Sequence, residues 1–131
     1  MAKESLMSLV VKRLSKLTPR DSYLRRTYGI TEEEYEKQLD LQGGVCWICL
    51  RPPVRLRLAV DHKHQKGERQ LRKKKQQHLV RANVRGLVCH VCNRALALLR
   101  DSVLSAHRAS VYLGEPPFQK ILQSIKEPSY G

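Results

Sequence analysis

Four cysteines in the middle of the chain have the spacing of a metal site. They form two Cys-x-x-Cys pairs, Cys46 with Cys49 and Cys89 with Cys92. Each pair can supply two thiolates to one tetrahedral ion, with Zn–S distances near about 2.3 Å. We therefore expect a single structural Zn²⁺ ion that holds the two pairs together.

The interval between the two pairs, residues 50–88, is longer than the roughly 15–20 residues of a plain zinc ribbon. It contains Asp61 beside His62, with His64 two residues later. An imidazole titrates near neutral pH and can take a proton from an attacking water molecule. The oxygens of Asp61 and of Asn93, which follows the second cysteine pair, are of the kind that Mg²⁺ prefers. This combination predicts a site for phosphodiester hydrolysis that the zinc supports.

Positive charge is concentrated around the candidate site. The chain carries 25 Lys and Arg against 12 Asp and Glu, a formal net charge of +13, and residues 51–100 hold 14 of the bases and two acids. Such an excess favours a polyanionic partner, and we predict DNA. The alternative for residues 66–75 is a solvated lysine-rich loop. The residues expected to contact phosphate are Arg85 and Arg94 beside the site and, in the intervening segment, Lys63, Lys66, Arg69, Arg72, Lys73, Lys74 and Lys75.

The cysteines could instead form two disulfides. However, residues 1–17 have no sustained apolar core followed by a cleavage site, and no apolar run is long enough to span a bilayer. We therefore expect no membrane association and a reducing, cytoplasmic setting, in which paired cysteines bind metal. Aromatic residues make up only 5% of the chain, which argues against recognition of single-stranded bases by stacking.

Helical patterns precede the first cysteine pair. Apolar residues at helical spacing predict a short amphipathic helix over residues 4–17. Thr18-Pro19 then has the pattern of a capping residue followed by proline at the first helical position, and Gly29 suits the end of the same helix. A capping-box pattern from Thr31 predicts a further helix over residues 32–42. The apolar side of that helix would consist of Tyr35, Leu39 and Leu41.

Two strands and a helix are predicted around the candidate site. Alternating apolar residues favour a strand over residues 56–60 that leads into Asp61. Residues 65–82 show no clear period and predict an exposed loop with a helical turn at most. Residues 84–88 would return as the partner strand, and a helix follows from the second cysteine pair. Because adjacent side chains of a strand point to opposite faces, the first strand must end or turn at Asp61 and His62 if both serve one site.

Short motifs of unusual composition follow one another along the chain. They are Tyr28-Gly29-Ile30-Thr31, Gln42-Gly43-Gly44, Val60-Asp61-His62 with His64, Val84-Arg85-Gly86-Leu87, and Asn93 after the last cysteine. Together with the cysteine pairs they closely resemble the phage recombination endonuclease VII family, which belongs to the HNH or ββα-metal nucleases. The resemblance covers roughly residues 28–113.

The resemblance implies an endonuclease that cleaves DNA and leaves 5′-phosphate and 3′-hydroxyl ends. It implies that the four cysteines bind structural zinc, that Asp61 and Asn93 bind a catalytic Mg²⁺ or Mn²⁺ ion, and that His62 is the general base. His64 would assist by contacting phosphate or by shaping the site. Duplex, nicked and branched DNA are candidate substrates, and the setting would be the cytoplasm of a phage-infected bacterium.

The implied fold is α+β and mostly helical, with a small zinc-stapled ββα-metal (HNH-like) core and flanking helices. We expect a basic N-terminal helical extension over residues 1–28 and the zinc-bound endonuclease domain over residues 29–113. A short C-terminal helical tail would follow over residues 114–131. Within these regions, late helices are predicted over residues 102–113 and 118–126.

This chain departs from the family pattern in several ways. The segment between His64 and Arg85 is longer and more basic than the usual short connection, which leaves open whether the enzyme nicks, cuts both strands or resolves junctions. Little chain follows the zinc region, so both a homodimer and a nicking monomer are options. The middle asparagine of the HNH motif is not evident, although Asn83 is close. Phage replication or packaging proteins are candidate partners. The alternative function is a zinc-dependent DNA-binding protein without catalysis.

Overall fold

The computed structural model describes residues 5–8 and 17–125. Contacts within the chain divide it into two compact units, residues 1–92 and 93–131. Most of the helix predicted over residues 4–17 lies outside the described residues, as does the end of the C-terminal tail. None of the helices in the described part of the chain combines the length and the apolar character that crossing a membrane requires.

Helix α1 spans Pro19–Tyr28 and begins and ends at the predicted residues. The hydroxyl of Thr18 accepts a hydrogen bond from the backbone N–H of Asp21 at 3.0 Å, and Gly29 ends the helix with φ at +72°. A β-carbon on residue 29 would lie 2.5 Å from the backbone oxygen of Gln77. Glycine is therefore required here both by the left-handed backbone and by a close approach of a later helix.

Helix α2 spans Glu32–Leu41, and both hydrogen bonds of the predicted capping box are present. Its apolar side differs from the prediction. Tyr35 is buried and Leu39 packs against the core, but Leu41 is 74% exposed. Residues four apart share a helix face, whereas Leu41 follows Leu39 by two positions and so lies on nearly the opposite side.

Two strands form an antiparallel sheet. Strand β1 spans Ala59–His62 and strand β2 spans Val84–Val88. The second strand matches the prediction, whereas the first starts three residues later than predicted and includes both candidate site residues. Residues 51–57 are exposed, so the apolar alternation in that stretch has no buried face to cover. The first strand therefore begins only after the chain enters the core at Leu58, which is 3% exposed.

The sheet is irregular at the candidate site. Asp61 lies opposite Gly86 and His62 lies opposite Val84, so Arg85 is an extra residue on the second strand. Such a bulge bends a strand and changes the direction of nearby side chains. Strand β1 ends at His62, and the register shifts between Asp61 and His62, as expected from the prediction that the strand must end or turn at this pair.

The segment over residues 65–82 is largely exposed, as predicted, but it holds two short helices rather than a loop with one helical turn. It contains helix α3, Glu68–Lys73, and helix α4, Gln77–Arg81. Val80 of α4 is fully buried. Helices of six and five residues are too short to show a helical period in the sequence, which is why the pattern predicted a loop.

The buried core of the first unit lies between the N-terminal helices, the sheet and two cysteines. Gln42 is a buried polar residue within it, donating hydrogen bonds to the carbonyls of Val45 at 3.0 Å and Leu87 at 2.8 Å and accepting one from the Leu87 N–H at 2.9 Å. It thereby attaches the chain before the first cysteine pair to β2. The core residues are Leu24, Ile30, Tyr35, Cys46, Leu58, Val60, Leu87, Val88 and Cys92.

Three helices follow the sheet. Helix α5 spans His90–Leu98, α6 spans Val103–Gly114 and α7 spans Pro117–Ser124. Neither α6 nor α7 contains a buried residue. The predicted fold class is confirmed: the described chain is mostly helical, with one two-stranded antiparallel sheet followed by a helix that begins at the second cysteine pair.

Candidate active site and metal centre

The four cysteines converge on one point of the first unit. Their sulfur atoms all lie within 4.8 Å of one another, and none forms a disulfide. Cys46 is fully buried and Cys92 is 9% exposed. Four thiols at this separation, two of them buried and two partly buried, fit the donor set of a structural zinc ion, as the sequence predicted.

Backbone hydrogen bonds hold the two cysteine pairs in place. The N–H of Cys46 donates to the carbonyl of Arg51 at 3.0 Å, closing a turn around the first pair. The N–H of Trp47 donates to the carbonyl of Leu87 at 3.3 Å, which attaches the same turn to β2. The cluster therefore depends on the sheet, and the sheet that leads to the cluster also carries the candidate catalytic residues.

The thiols differ in acidity. Burial alone would raise the pKa of Cys46, but backbone N–H groups at Cys49, Cys89 and Ile48 outweigh it and lower that pKa to about 6. Burial and the neighbouring thiols raise the pKa of Cys92 to about 12. The cluster thus gives up one proton readily and holds another tightly, and a bound divalent cation would displace the protons that remain.

A second group of potential ligands consists of His62, His64 and Glu68, whose donor atoms also lie within 4.8 Å of one another. The Nε2 atom of His62 lies 2.9 Å from Oε1 of Glu68, and Nη2 of Arg72 lies 2.6 Å from the same oxygen. His62 is buried, and its ring packs edge-on against Tyr28 at a centroid distance of 5.4 Å. The imidazole is therefore held by a hydrogen bond to Glu68 on one side and an aromatic ring on another.

The charge on Glu68 determines where His62 carries its proton. Burial raises the pKa of Glu68, but the hydrogen bond with His62 and the charge of Arg72 lower it by more. A carboxylate ionised at neutral pH can only accept hydrogen bonds. Nε2 of His62 must then be the donor, which places the lone pair of the neutral imidazole on Nδ1.

The carboxylate of Asp61 is buried and paired with Arg85. Nε of Arg85 lies 2.6 Å from Oδ2, and Nη2 lies 2.9 Å from Oδ1. This bidentate pair fixes the orientation of the carboxylate. A carboxylate offers about four acceptor positions in all, so Asp61 retains the capacity to bind a hard cation such as Mg²⁺ as well as Arg85. Asn93 is half-buried and follows Cys92 in helix α5.

The predicted phosphate-contact residues fall into two groups. Arg85 pairs with Asp61, and Arg72 pairs with Glu68 while donating to the carbonyl of Thr27 at 3.0 Å. Both arginines thus form ion pairs with carboxylates of the candidate site. The remaining predicted residues are exposed: Lys63, Lys66, Arg69, Lys73, Lys74, Lys75 and Arg94.

Glu68 is a site residue that the sequence pattern did not predict. A signal was nevertheless present, because His64, Glu68 and Arg72 are spaced four residues apart, as on one face of a helix, although only Glu68 and Arg72 lie in α3. Glu68 is also one of only two acids in residues 51–100. Because that segment shows no helical period, neither feature led to a prediction that Glu68 belongs to the site.

Comparison with known proteins gives a consistent result. A family model described as recombination endonuclease VII matches residues 21–115. Curated relatives include the Gene 59 proteins of Mycobacterium phages D29 and L5, which are 40% and 38% identical over 98 residues. The alignment covers 73% of this chain and 50% or 51% of each relative, so the chain spans about half the length of the curated relatives it matches. No solved structure matches the chain.

Proposed function

Because the chain belongs to the recombination endonuclease VII family, we propose that it is a metal-dependent DNA endonuclease. Family membership indicates a DNA nuclease, and hence a hydrolase with DNA as its substrate. The finer proposal is hydrolysis of phosphodiester bonds that leaves 5′-phosphate and 3′-hydroxyl ends. Duplex, nicked and branched DNA are the proposed substrates.

The buried imidazole of His62 is the observation that supports this proposal best. Its Nε2 is anchored on the carboxylate of Glu68, so Nδ1 is the atom that accepts the proton of the attacking water. The aromatic ring of Tyr28 and the hydrogen bond with Glu68 restrict rotation of the imidazole. A base held in one orientation and one tautomer contributes about 10²–10⁴-fold to such a reaction.

We propose Asp61 and Asn93 as the residues that hold the catalytic Mg²⁺ or Mn²⁺ ion. Their carboxylate and amide oxygens are of the type these ions prefer. A bound divalent ion supplies positive charge to the phosphate oxygens. Arg85 orients Asp61 through the bidentate pair, and we propose that the exposed His64, two residues after the base, contacts phosphate. The four cysteines hold a structural zinc ion.

DNA binding is assigned to the exposed basic residues. Lysines and arginines that have no described ion pair can contact phosphates without reading sequence. Arg72 and Arg85 act mainly through Glu68 and Asp61, and so contribute less to the DNA contact than the sequence suggested. Binding through the exposed group, which contains Lys63, Lys66, Arg69, Lys73, Lys74, Lys75 and Arg94, should weaken steeply as salt rises.

We propose residues 29–113 as the endonuclease domain, with residues 1–28 as a basic extension and residues 114–131 as a tail. A homodimer is supported by the apolar side chains of α6 and α7, of which Leu113 is 76% exposed and Phe118 is 61% exposed. The proposed setting is the cytoplasm of a phage-infected bacterium, where replication or packaging proteins would be partners.

Plasmid cleavage tests the proposal directly. Supercoiled plasmid is incubated with Mg²⁺ or Mn²⁺ and either the wild-type protein, His62→Ala or the control His78→Ala, which replaces an exposed histidine of α4. We expect the wild type and His78→Ala to cut equally and His62→Ala to lose about 10²–10⁴-fold in rate. Equal cutting by His62→Ala would contradict the assigned base.

A second candidate function is zinc-dependent DNA binding without catalysis. The pairing of both Asp61 oxygens with Arg85 favours it, because that pair already neutralises the carboxylate. It predicts tight, salt-sensitive binding, no strand breaks in any divalent ion and indifference to Asp61→Asn. End-labelling of any products, and cleavage of a four-way junction beside linear duplex, would then define the substrate if cutting occurs.

A further inference from the structure

We propose that His62, His64 and Glu68 form a binding site for a divalent transition-metal ion such as Zn²⁺, and that occupation of this site switches off the base. The site is separate from the four-cysteine cluster. Binding of the ion stands independently of the proposed nuclease function, whereas the inhibition rests on it.

The donor set and its spacing support the site. One donor atom from each of the three side chains lies within 4.8 Å of the others. The rings of His62 and His64 lie with their centroids 4.5 Å apart and their planes at 60°, and Nδ1 of His64 lies 3.8 Å from Oε2 of Glu68. Two imidazoles and one carboxylate suit zinc, nickel or copper rather than the oxygen-seeking Mg²⁺. Small rotations of the exposed His64 side chain would bring the donors to bonding distance.

One oxygen of the carboxylate is available for a ligand. Oε2 of Glu68 is buried and has no hydrogen-bond partner among the residues that the structure describes. The other oxygen, Oε1, accepts from Arg72 at 2.6 Å. A carboxylate that ligates a metal is usually itself held by an outer hydrogen-bond partner, and Arg72 has that position at Oε1. A buried acceptor left unsatisfied is costly, and a cation on Oε2 would remove that cost.

The consequence for catalysis follows from the tautomer of His62. Without an ion, the Nε2–H group of His62 donates a hydrogen bond to Glu68, and Nδ1 carries the lone pair. When an ion binds Nε2, the neutral imidazole must carry its single proton on Nδ1. No net proton is gained or lost by the ring, but the lone pair that would accept a proton from water is gone. The ion thus opposes hydrolysis even though the catalytic cation is untouched.

Zinc titration of the full-length, zinc-loaded protein tests the binding site. The probe is Zn²⁺ alone, followed by calorimetry and by metal analysis after gel filtration. We expect the wild type and the control His78→Ala to bind a second equivalent per chain. His64→Ala, whose side chain is 75% exposed and so dispensable for folding, should bind that equivalent at least about tenfold more weakly. Glu68→Gln, of nearly identical shape, should weaken it as well.

Plasmid cleavage in Mg²⁺ with rising Zn²⁺ tests the switch. Wild-type cleavage should fall as the second equivalent binds, and the midpoint should shift in His64→Ala by the same factor as the affinity. A wild type that binds one equivalent only, or a His64→Ala protein that binds like the wild type, would overturn the site. Cleavage that persists with the second ion bound would overturn the switch. If no protein cleaves under any condition, the proposed function fails while the titration still decides the site.

Discussion

Among the residues that the structure describes, two groups of side chains bring potential metal ligands within 4.8 Å of one another, yet they are built differently. The cysteine cluster lies in the hydrophobic core and is held by backbone hydrogen bonds. The cluster of His62, His64 and Glu68 is held by side-chain ion pairs, and one of its members is exposed. The first arrangement is closed and suits a structural ion, whereas the second is open and suits reactivity.

The comparison shows that proximity alone does not determine the role of a cluster. Two of the four thiols lie in the core and the other two pack against it, so an ion bound there stabilises the fold. In the second cluster the buried His62 has its tautomer set by the charge of Glu68, and the neighbouring His64 is exposed to water. Substitutions in the two clusters should therefore have separable effects, on stability in one case and on reactivity in the other.

The largest effect is expected from Cys46→Ser, which removes one ligand from the cysteine cluster. Structural zinc sites contribute on the order of 10 kcal/mol of apparent binding free energy at neutral pH. We expect loss of stoichiometric zinc and loss of the cooperative unfolding transition, measured by metal analysis and circular dichroism. The control is Ile48→Ala in the same turn, where the side chain is 49% exposed. Retention of zinc and of the transition in Cys46→Ser would show that the cluster is not a structural site.

A smaller loss of stability is expected from Gly29→Ala. Gly29 follows Tyr28, whose ring packs against His62 of the second cluster. The left-handed backbone costs an alanine about 1–2 kcal/mol, and the new β-carbon would lie 2.5 Å from the Gln77 oxygen. Gly43→Ala is the matched control, because it has φ at +69° but no atom within 4 Å. Urea unfolding should show the greater loss for Gly29→Ala with unchanged zinc content. Equal losses would mean that α1 and α4 do not pack as closely as described.

Glu68→Gln should affect reactivity with little effect on zinc content. The amide keeps the shape of the carboxylate but removes the charge that fixes the proton on Nε2 of His62. We expect plasmid cleavage to slow by about tenfold or more while circular dichroism and zinc stoichiometry stay at wild-type values. An unchanged cleavage rate would show that Glu68 does not position the base.

The smallest effect concerns the ion pair between Glu34 and Arg81, which joins the capping box of α2 to α4. The paired guanidinium, donating at 2.5 and 2.6 Å, lowers the pKa of Glu34 from 4.5 to about 2. A carboxyl with a lowered folded-state pKa stabilises the fold above its ordinary pKa, and that contribution disappears as pH falls from about 4.5 toward 2. Because Glu34 is partly exposed, the contribution is under about 1 kcal/mol.

Thermal unfolding of the wild type and of Glu34→Gln across this pH range measures the contribution. The wild type should be slightly more stable at neutral pH, and the two melting temperatures should converge in acid. Acid also protonates the cysteine thiolates, but it does so equally in both proteins, so the difference isolates the ion pair. A constant difference at all pH values would contradict the assignment.

Local sequence predicted much of the fold. The caps of α1 and α2 and the second strand lie where Thr18, Thr31 and residues 84–88 indicated, because capping and strand alternation depend on neighbours in the chain. The position of β1 and the two helices between the strands were not predicted. Their boundaries depend on where the chain enters the core, at Leu58 and again at Val80.

The sequence by itself determined the chemistry that is available: four thiols at metal spacing, a carboxylate beside an imidazole, and a large excess of positive charge. Only the tertiary structure decided how those groups are paired. Arg85 meets Asp61, and Arg72 meets Glu68 beneath His62. The physical reason is that a charge removed from water must find a partner. The burial of Asp61 and Glu68, which a local pattern does not reveal, thus separated the two arginines that pair with them from the basic residues left to contact DNA.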